Sequence, residues 1–219
     1  QTYSATIYAK DGGEKDFTAD PSPIIICFAK GTEIETSEGA QTIETLCVGN
    51  LIRTVDAGFV PLKWLGRTEL SAPELRRWED LRPVRVRLGA FGRGRPEKDV
   101  VLSPNHRVLV SGKMAELYFG EAEVLVPVKA LIDGVMVLEE KECCGITYFH
   151  LLLEGHHIVE TSGLLSESLF LGVQSMQVVS QHANRDLRST LTEFELQQFA
   201  AAKAARPFIR VQLGRCLAA

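Results

Sequence analysis

The order of residues predicts an all-β domain built from two related halves, followed by an appendage of mixed helix and strand. Three observations carry that reading. Between residues 31 and 70, short β-like runs alternate with turn signals at Ser37-Glu38-Gly39, Val48-Gly49-Asn50 and Asp56-Ala57-Gly58, a spacing of about 8–12 residues that belongs to all-β architectures. A frame of apolar-x-x-Leu-x-x-Gly-x-apolar-apolar occurs twice, from Ile43 to Ile52 and from Val128 to Val137, and each copy is followed by a second apolar run. An offset of about 85 residues is too long for a solenoid period and fits two β modules packed about a pseudo-twofold axis. A long helical pattern comes only late, at residues 191–205, with Thr190 and Glu193 in capping-box spacing and Pro207 as its stop.

Taken in order, residues 2–8 read as a strand and residues 10–23 as a polar hairpin or linker. Ile24, Ile25 and Ile26 are three β-branched residues in a row, whose stiff χ1 suits a buried strand, and Cys27 ends that run. A short helix is expected at residues 71–80 with Ser71 as its N-cap. Residues 83–88 alternate as a half-exposed strand, residues 89–98 form a Gly/Arg loop without a phosphate-binding pattern, and residues 100–110 give two apolar pieces split by Ser103-Pro104-Asn105-His106. Cys143 and Cys144 are expected on opposite faces of a strand. Residues 208–213 alternate like a last strand. These readings divide the chain into an upstream segment 1–26, a domain 27–170 and an appendage 171–219.

Composition narrows the function classes. A chain of 219 residues can bury a sizeable core. Its net charge of −4 and scattered Lys and Arg offer no basic patch for nucleic acid. The longest apolar run, residues 24–29, is far shorter than the roughly 20 residues of a membrane helix. The chain opens at Gln1 without Met, and is read as a fragment or processed product. Five cysteines with no C-x-x-C pair argue against a disulfide framework and a structural zinc module. Cys143, Cys144, His150, His156 and His157 could supply zinc ligands, but without short paired spacing, so no metal and no cofactor is assigned.

Chemistry-bearing residues are few: Cys27, the S-P-N-H turn with Ser103 and His106, His150 in Y-F-H-L-L-L, and the pair His156-His157. A fifth histidine, His182, lies in a polar segment where solvent exposure is expected. A lone histidine after a proline turn is often a satisfied structural group, so residue type alone leaves a structural role open.

The blocks around these residues resemble those of the Hint superfamily, the hedgehog/intein self-processing domains. C-F-A-K-G-T-x-I-x-T-x-x-G at 27–39, continued by T-I-E-T-L-x-V-G-N-L-I-x-T, is similar to its opening block. L-S-P-N-H-R-V-L-V at 102–110 resembles its Thr-x-x-His block with Ser103 in place of the threonine. I-T-Y-F-H-L-L-L-E-G-H-H at 146–157, with G-L-L-S-E-S-L after it, resembles the closing block of the bacterial, intein-like branch. The resemblance implies a β horseshoe with internal pseudo-twofold symmetry. It implies also that Cys27 attacks the Ile26 carbonyl to form a thioester, with His106 as general acid and Ser103 holding His106 or the scissile amide. His150 stands where splicing relatives usually have an aspartate and is assigned the cysteine proton; His156 is preferred to His157 as the closing-block histidine.

Splicing requires Asn followed by Cys, Ser or Thr, whereas Asn50, Asn105 and Asn184 precede Leu, His and Arg. Cleavage of the Ile26–Cys27 bond without splicing is therefore expected, as a single turnover. The chain's own upstream segment is the substrate, and water or an external thiol or amine resolves the thioester; neither nucleic acid nor membrane is a partner. The relatives point to a secreted or surface bacterial protein. A non-cleaving Hint-fold binding domain and a Cys-His thiol hydrolase acting in trans are the alternatives.

Overall fold

The structure, a computed structural model, describes residues 26–171 and 181–217, with the backbone alone at residues 181–185. The expected strand at 2–8, the polar stretch 10–23, Ile24, Ile25 and the side chain of His182 lie outside the described residues.

Two long strands form the spine. β5 (Gly58–Ser71) alternates along its length, with Val60, Leu62, Trp64, Gly66 and Thr68 buried and Pro61, Lys63, Leu65 and Arg67 between them more exposed, the period-2 signature of a strand. Before it come β1 (Phe28–Ala29), β2 (Glu33–Thr36), β3 (Gly39–Thr42) and β4 (Leu51–Thr54). After it come β6 (Val84–Val86), β7 (Val100–Leu102), β8 (Arg107–Ser111), β9 (Glu123–Pro127) and β10 (Val137–Glu139), then β11 (Gly145–Leu153), β12 (Ile158–Thr161) and β13 (Leu164–Glu167). One antiparallel path joins most of them, in the order β10-β6-β7-β1-β11-β5-β4-β12-β13-β8-β9, with β2 on β4 and β3 on β2. The all-β expectation holds. Both copies of the repeated frame take the same course: a strand, a 3-10 turn (Ile43–Thr45 and Val128–Leu131), a left-handed glycine (Gly49, φ 96°; Gly134, φ 75°) and a strand, β4 or β10.

β11 separates two environments. Phe149, Leu151 and Leu153 face the main core, with Phe28, Ile34, Ile52, Leu102 and Val108. Its other face carries Tyr148, His150 and Leu152, and two smaller clusters meet there. One holds Cys27, Leu75, Leu81 and Tyr148; the other holds Ile26, Trp64, Leu152 and apolar residues from the C-terminal helices. The Ile26–Cys27 bond therefore spans the junction of two dry clusters.

Helices are short. α1 (Ala72–Arg77) starts as expected at Ser71, whose N–H and hydroxyl both donate to the Glu74 carboxylate at 2.8 and 2.6 Å. α2 (Lys113–Phe119) ends at the left-handed Gly120. α3 (Gln181–Thr190), α4 (Glu193–Ala200) and α5 (Val211–Gly214) make up most of the described part of the appendage. No helix among the described residues is long and apolar enough to cross a membrane.

Three local expectations are corrected. The late helix begins after Thr192, whose capping box pairs with Glu195, because the chain breaks between α3 and α4. Residues 208–213 are not a strand: Phe208 makes one parallel bridge to Leu125, and the chain then turns into α5 to pack Gly214 against Val126 and Ala130. Cys143 and Cys144 sit in the turn before β11 rather than within it.

Candidate functional site

β1 places the cysteine. Phe28 pairs with Phe149 on one side and Leu102 on the other, which sets Cys27 at the end of the strand against His150. The Ser103 turn then grips that residue twice. The Cys27 N–H donates to Ser103 Oγ at 2.9 Å, and the Ser103 N–H donates to the Cys27 carbonyl at 3.0 Å. The nitrogen of the Ile26–Cys27 bond is thus held by the serine hydroxyl.

His150 reaches both ends of the chemistry. Its Nδ1 lies 3.2 Å from Cys27 Sγ and 3.1 Å from the Ile26 carbonyl oxygen, and its Nε2 lies 3.4 Å from the same sulfur. Thr68 Oγ1 stands 3.2 Å from Nε2. With the proton on Nε2 and directed to Thr68, Nδ1 accepts from the thiol; with the proton on Nδ1, the Ile26 carbonyl accepts it, so the two tautomers serve different partners of the same nitrogen. The register explains the arrangement: His150 faces Gly66, Tyr148 faces Thr68 and Leu152 faces Trp64. Because Gly66 has no side chain, the Trp64 indole folds over it and stacks on His150 with ring centroids 6.1 Å apart. The indole N–H donates to Asp186 of α3 at 2.9 Å.

Burial dominates the electrostatics. Cys27 and His150 are fully enclosed, and burial pushes the thiol well above its usual pKa. Burial likewise pulls His150 down to about 4, against the Ile26 carbonyl that favours its cation. Both shifts favour a thiol beside a neutral imidazole, and an attack by this sulfur would need its proton to move as the bond forms. His106 is also drawn down to about 4 by burial, against the pull of the Glu167 charge. Its ring meets Phe28 edge-on at 4.4 Å, and neither ring nitrogen makes a hydrogen bond of good geometry.

His156 belongs to a different group and is not brought to Cys27. Its Nδ1 accepts from the Ala205 N–H at 3.0 Å, its ring lies against Phe170 and Phe208, and its Nε2 stands 3.2 Å from Glu167, off a straight hydrogen-bond line. Glu167 is fully buried and takes the backbone N–H of Arg107 at 2.9 Å and its guanidinium at 3.1 Å. Burial works against its charge, but His156 and Arg107 hold the carboxyl below the usual carboxylate range. His157 stands apart, its Nε2 2.7 Å from the Glu154 carbonyl. Cys143, Cys144, His150, His156 and His157 do not converge, and no cluster suited to a metal occurs among the described residues.

Reading the sequence missed Trp64, Gly66, Thr68 and Glu167. The first three share one face of β5, and their alternation was visible; what was not visible was the register that sets them against His150. A groove of about 700 Å3 lined by Lys30, Glu74, Arg85 and Thr147 runs beside the site, but Cys27 does not line it.

Residues 26–173 match the Hint domain family. No curated protein matches the chain by sequence. Solved structures similar to it include the gp41-1 intein (13% identical over 64% of this chain and 96% of that one, TM-score 0.39). A bacterial intein-like domain from Clostridium thermocellum is 9% identical over 66% and 99% of the two chains, TM-score 0.37. A DnaB intein from Synechocystis is 9% identical over 65% and 98%, TM-score 0.42. With a family match that spans most of its length and begins at the residue before Cys27, the chain belongs to the Hint domain family, whose chemistry is the processing of the protein that carries it.

Proposed function

We propose that this domain cuts its own chain between Ile26 and Cys27 by an N-to-S acyl shift, without splicing. The observation that supports it most is the position of His150 Nδ1, 3.2 Å from the attacking sulfur and 3.1 Å from the oxygen of the carbonyl under attack. One nitrogen can serve twice. It takes the Sγ–H proton as sulfur bonds to the Ile26 carbon, and as N–H it then faces the oxygen on which negative charge develops.

The C–N bond breaks next, and the departing Cys27 nitrogen needs one proton. His150 holds the one released by sulfur, so the shift balances without a preloaded acid. Ser103 Oγ keeps the nitrogen in place throughout, and His106 reinforces the transfer to the extent that Glu167 favours its cation. Water attacking the thioester leaves a carboxylate on Ile26 and a free thiol and amine on Cys27; a thiol or hydroxylamine captures the acyl group in the same way. The released segment ends at Ile26 and includes residues 1–26. Joining of flanks would need an Asn before Cys, Ser or Thr, and Asn50, Asn105 and Asn184 precede other residues.

Incubating the full chain with hydroxylamine, beside Cys27→Ala, tests the reading by mass spectrometry. A hydroxamate on Ile26 and a fragment beginning at Cys27 are expected from the parent alone. Equal cleavage in both proteins refutes it.

A further inference from the structure

The side chain on the acyl side of the proposed bond has a socket of its own. Ile26 is only 4% exposed and shares one apolar cluster with Trp64 and Leu152 of the spine, Leu169 beyond β13, Leu187 of α3, Leu191 just after it, and Phe199 of α4. The hydrogen bond from Trp64 to Asp186 fastens the strand wall of this cluster to the helical wall. Leu187 of α3 and Leu196 and Phe199 of α4 are thus buried in the same cluster as the residue that precedes Cys27, while Phe194 of α4 stays exposed.

None of these groups is needed to move a proton. Their chemistry is that of a selective pocket: dry, apolar and closed on several sides, where burying a charge is costly and a missing methylene is felt. We propose that α3 and α4, with Trp64, form a specificity socket that admits a branched aliphatic residue at position 26 and rejects charged ones. This rests on the self-cleavage reading, since it makes Ile26 the acyl donor. It gives the appendage a part in substrate choice: the identity of the residue being cut is read by helices more than 150 positions downstream.

Two readouts on the full chain test the socket. Under hydroxylamine, Ile26→Val is expected to cleave about tenfold more slowly than the parent, Ile26→Ala about a hundredfold more slowly, and Ile26→Lys at least about a thousandfold more slowly. In a Cys27→Ala background, which is not expected to cleave, hydrogen exchange across residues 186–200 is expected to quicken at least about tenfold in Ile26→Lys and to stay unchanged in Ile26→Val. Equal cleavage of the Lys and parent proteins, or unchanged exchange in the Lys variant, overturns the socket. If the parent itself shows no Cys27-dependent cleavage while exchange still responds to position 26, the self-cleavage reading fails and the apolar seat for Ile26 stands as a packing contact alone.

Discussion

Gly66 carries the geometry of the site without contributing an atom to its chemistry. A Cβ placed there would lie 1.9 Å from Trp64 Cη2 and 2.4 Å from Cζ2, inside the indole ring's own space. Gly66→Ala must therefore push the indole away from His150. The ring is held by Asp186 and by the packing around Ile26, so it cannot swing out at no cost. Overpacking costs about 1–3 kcal/mol and loss of a hydrogen bond to a charged acceptor about 1.5–3 kcal/mol, so about 3–6 kcal/mol is expected in all. Urea unfolding of full-length Cys27→Ala protein, followed by far-UV circular dichroism, measures it without interference from cleavage. In a Trp64→Leu background the obstructing ring is gone, and the same Gly66→Ala change is expected to cost less than about 1 kcal/mol. A cost below about 1 kcal/mol with Trp64 present, or an equal cost in both backgrounds, would show that the indole does not occupy the space over Gly66.

Other consequences follow from the buried groups. His150 and His106 have folded pKa values of about 4, below the ordinary 6.5, so the unfolded chain binds more protons between those values. Stability should be complete above about pH 6.5 and fall by up to roughly 3 kcal/mol per histidine as the pH drops toward 4; a flat unfolding free energy across pH 4–6.5 refutes this. Glu167→Gln removes the charge that Arg107 and His156 share and should cost about 3–5 kcal/mol by urea unfolding, far more than an exposed Glu→Gln change. Thr68→Val keeps the shape of the side chain but removes a partner of the buried His150 Nε2, and should slow hydroxylamine cleavage about tenfold while costing about 1–3 kcal/mol of stability. Rates equal to the parent would leave Thr68 no part in orienting the imidazole.

The legible and illegible parts of this molecule differ in what encodes them. Turn spacing and alternation gave the β architecture, because glycine turns and period-2 burial are local. Cys27, Ser103 and His150 could be singled out from short blocks, and the structure brings those three together. The residues that back them could not be read in the same way. Trp64, Gly66 and Thr68 acquire meaning only through a pairing of β5 with β11 that joins positions more than 80 apart. His156 illustrates the opposite case: resemblance to the closing block made it a site residue, while the fold sets it beside Glu167 and the Ala205 backbone. Residues 208–213 alternate like a strand, yet only Phe208 bridges to β9, and from Val211 the chain turns into α5 with Gly214 seated closely against Val126 and Ala130.

The long-range wiring of Cys27 bears on timing during synthesis. The thiol emerges early, but the serine that grips its nitrogen follows 76 residues later and the histidine beside its sulfur 123 residues later. At translation speeds of about 5–20 residues per second, the gap between nucleophile and base is on the order of 6–25 s. The apolar cover from α3 and α4 arrives later still. On the proposed cleavage, a nascent chain would carry an inert cysteine, and a segment upstream of it would have that interval to fold before the Ile26–Cys27 bond could be cut.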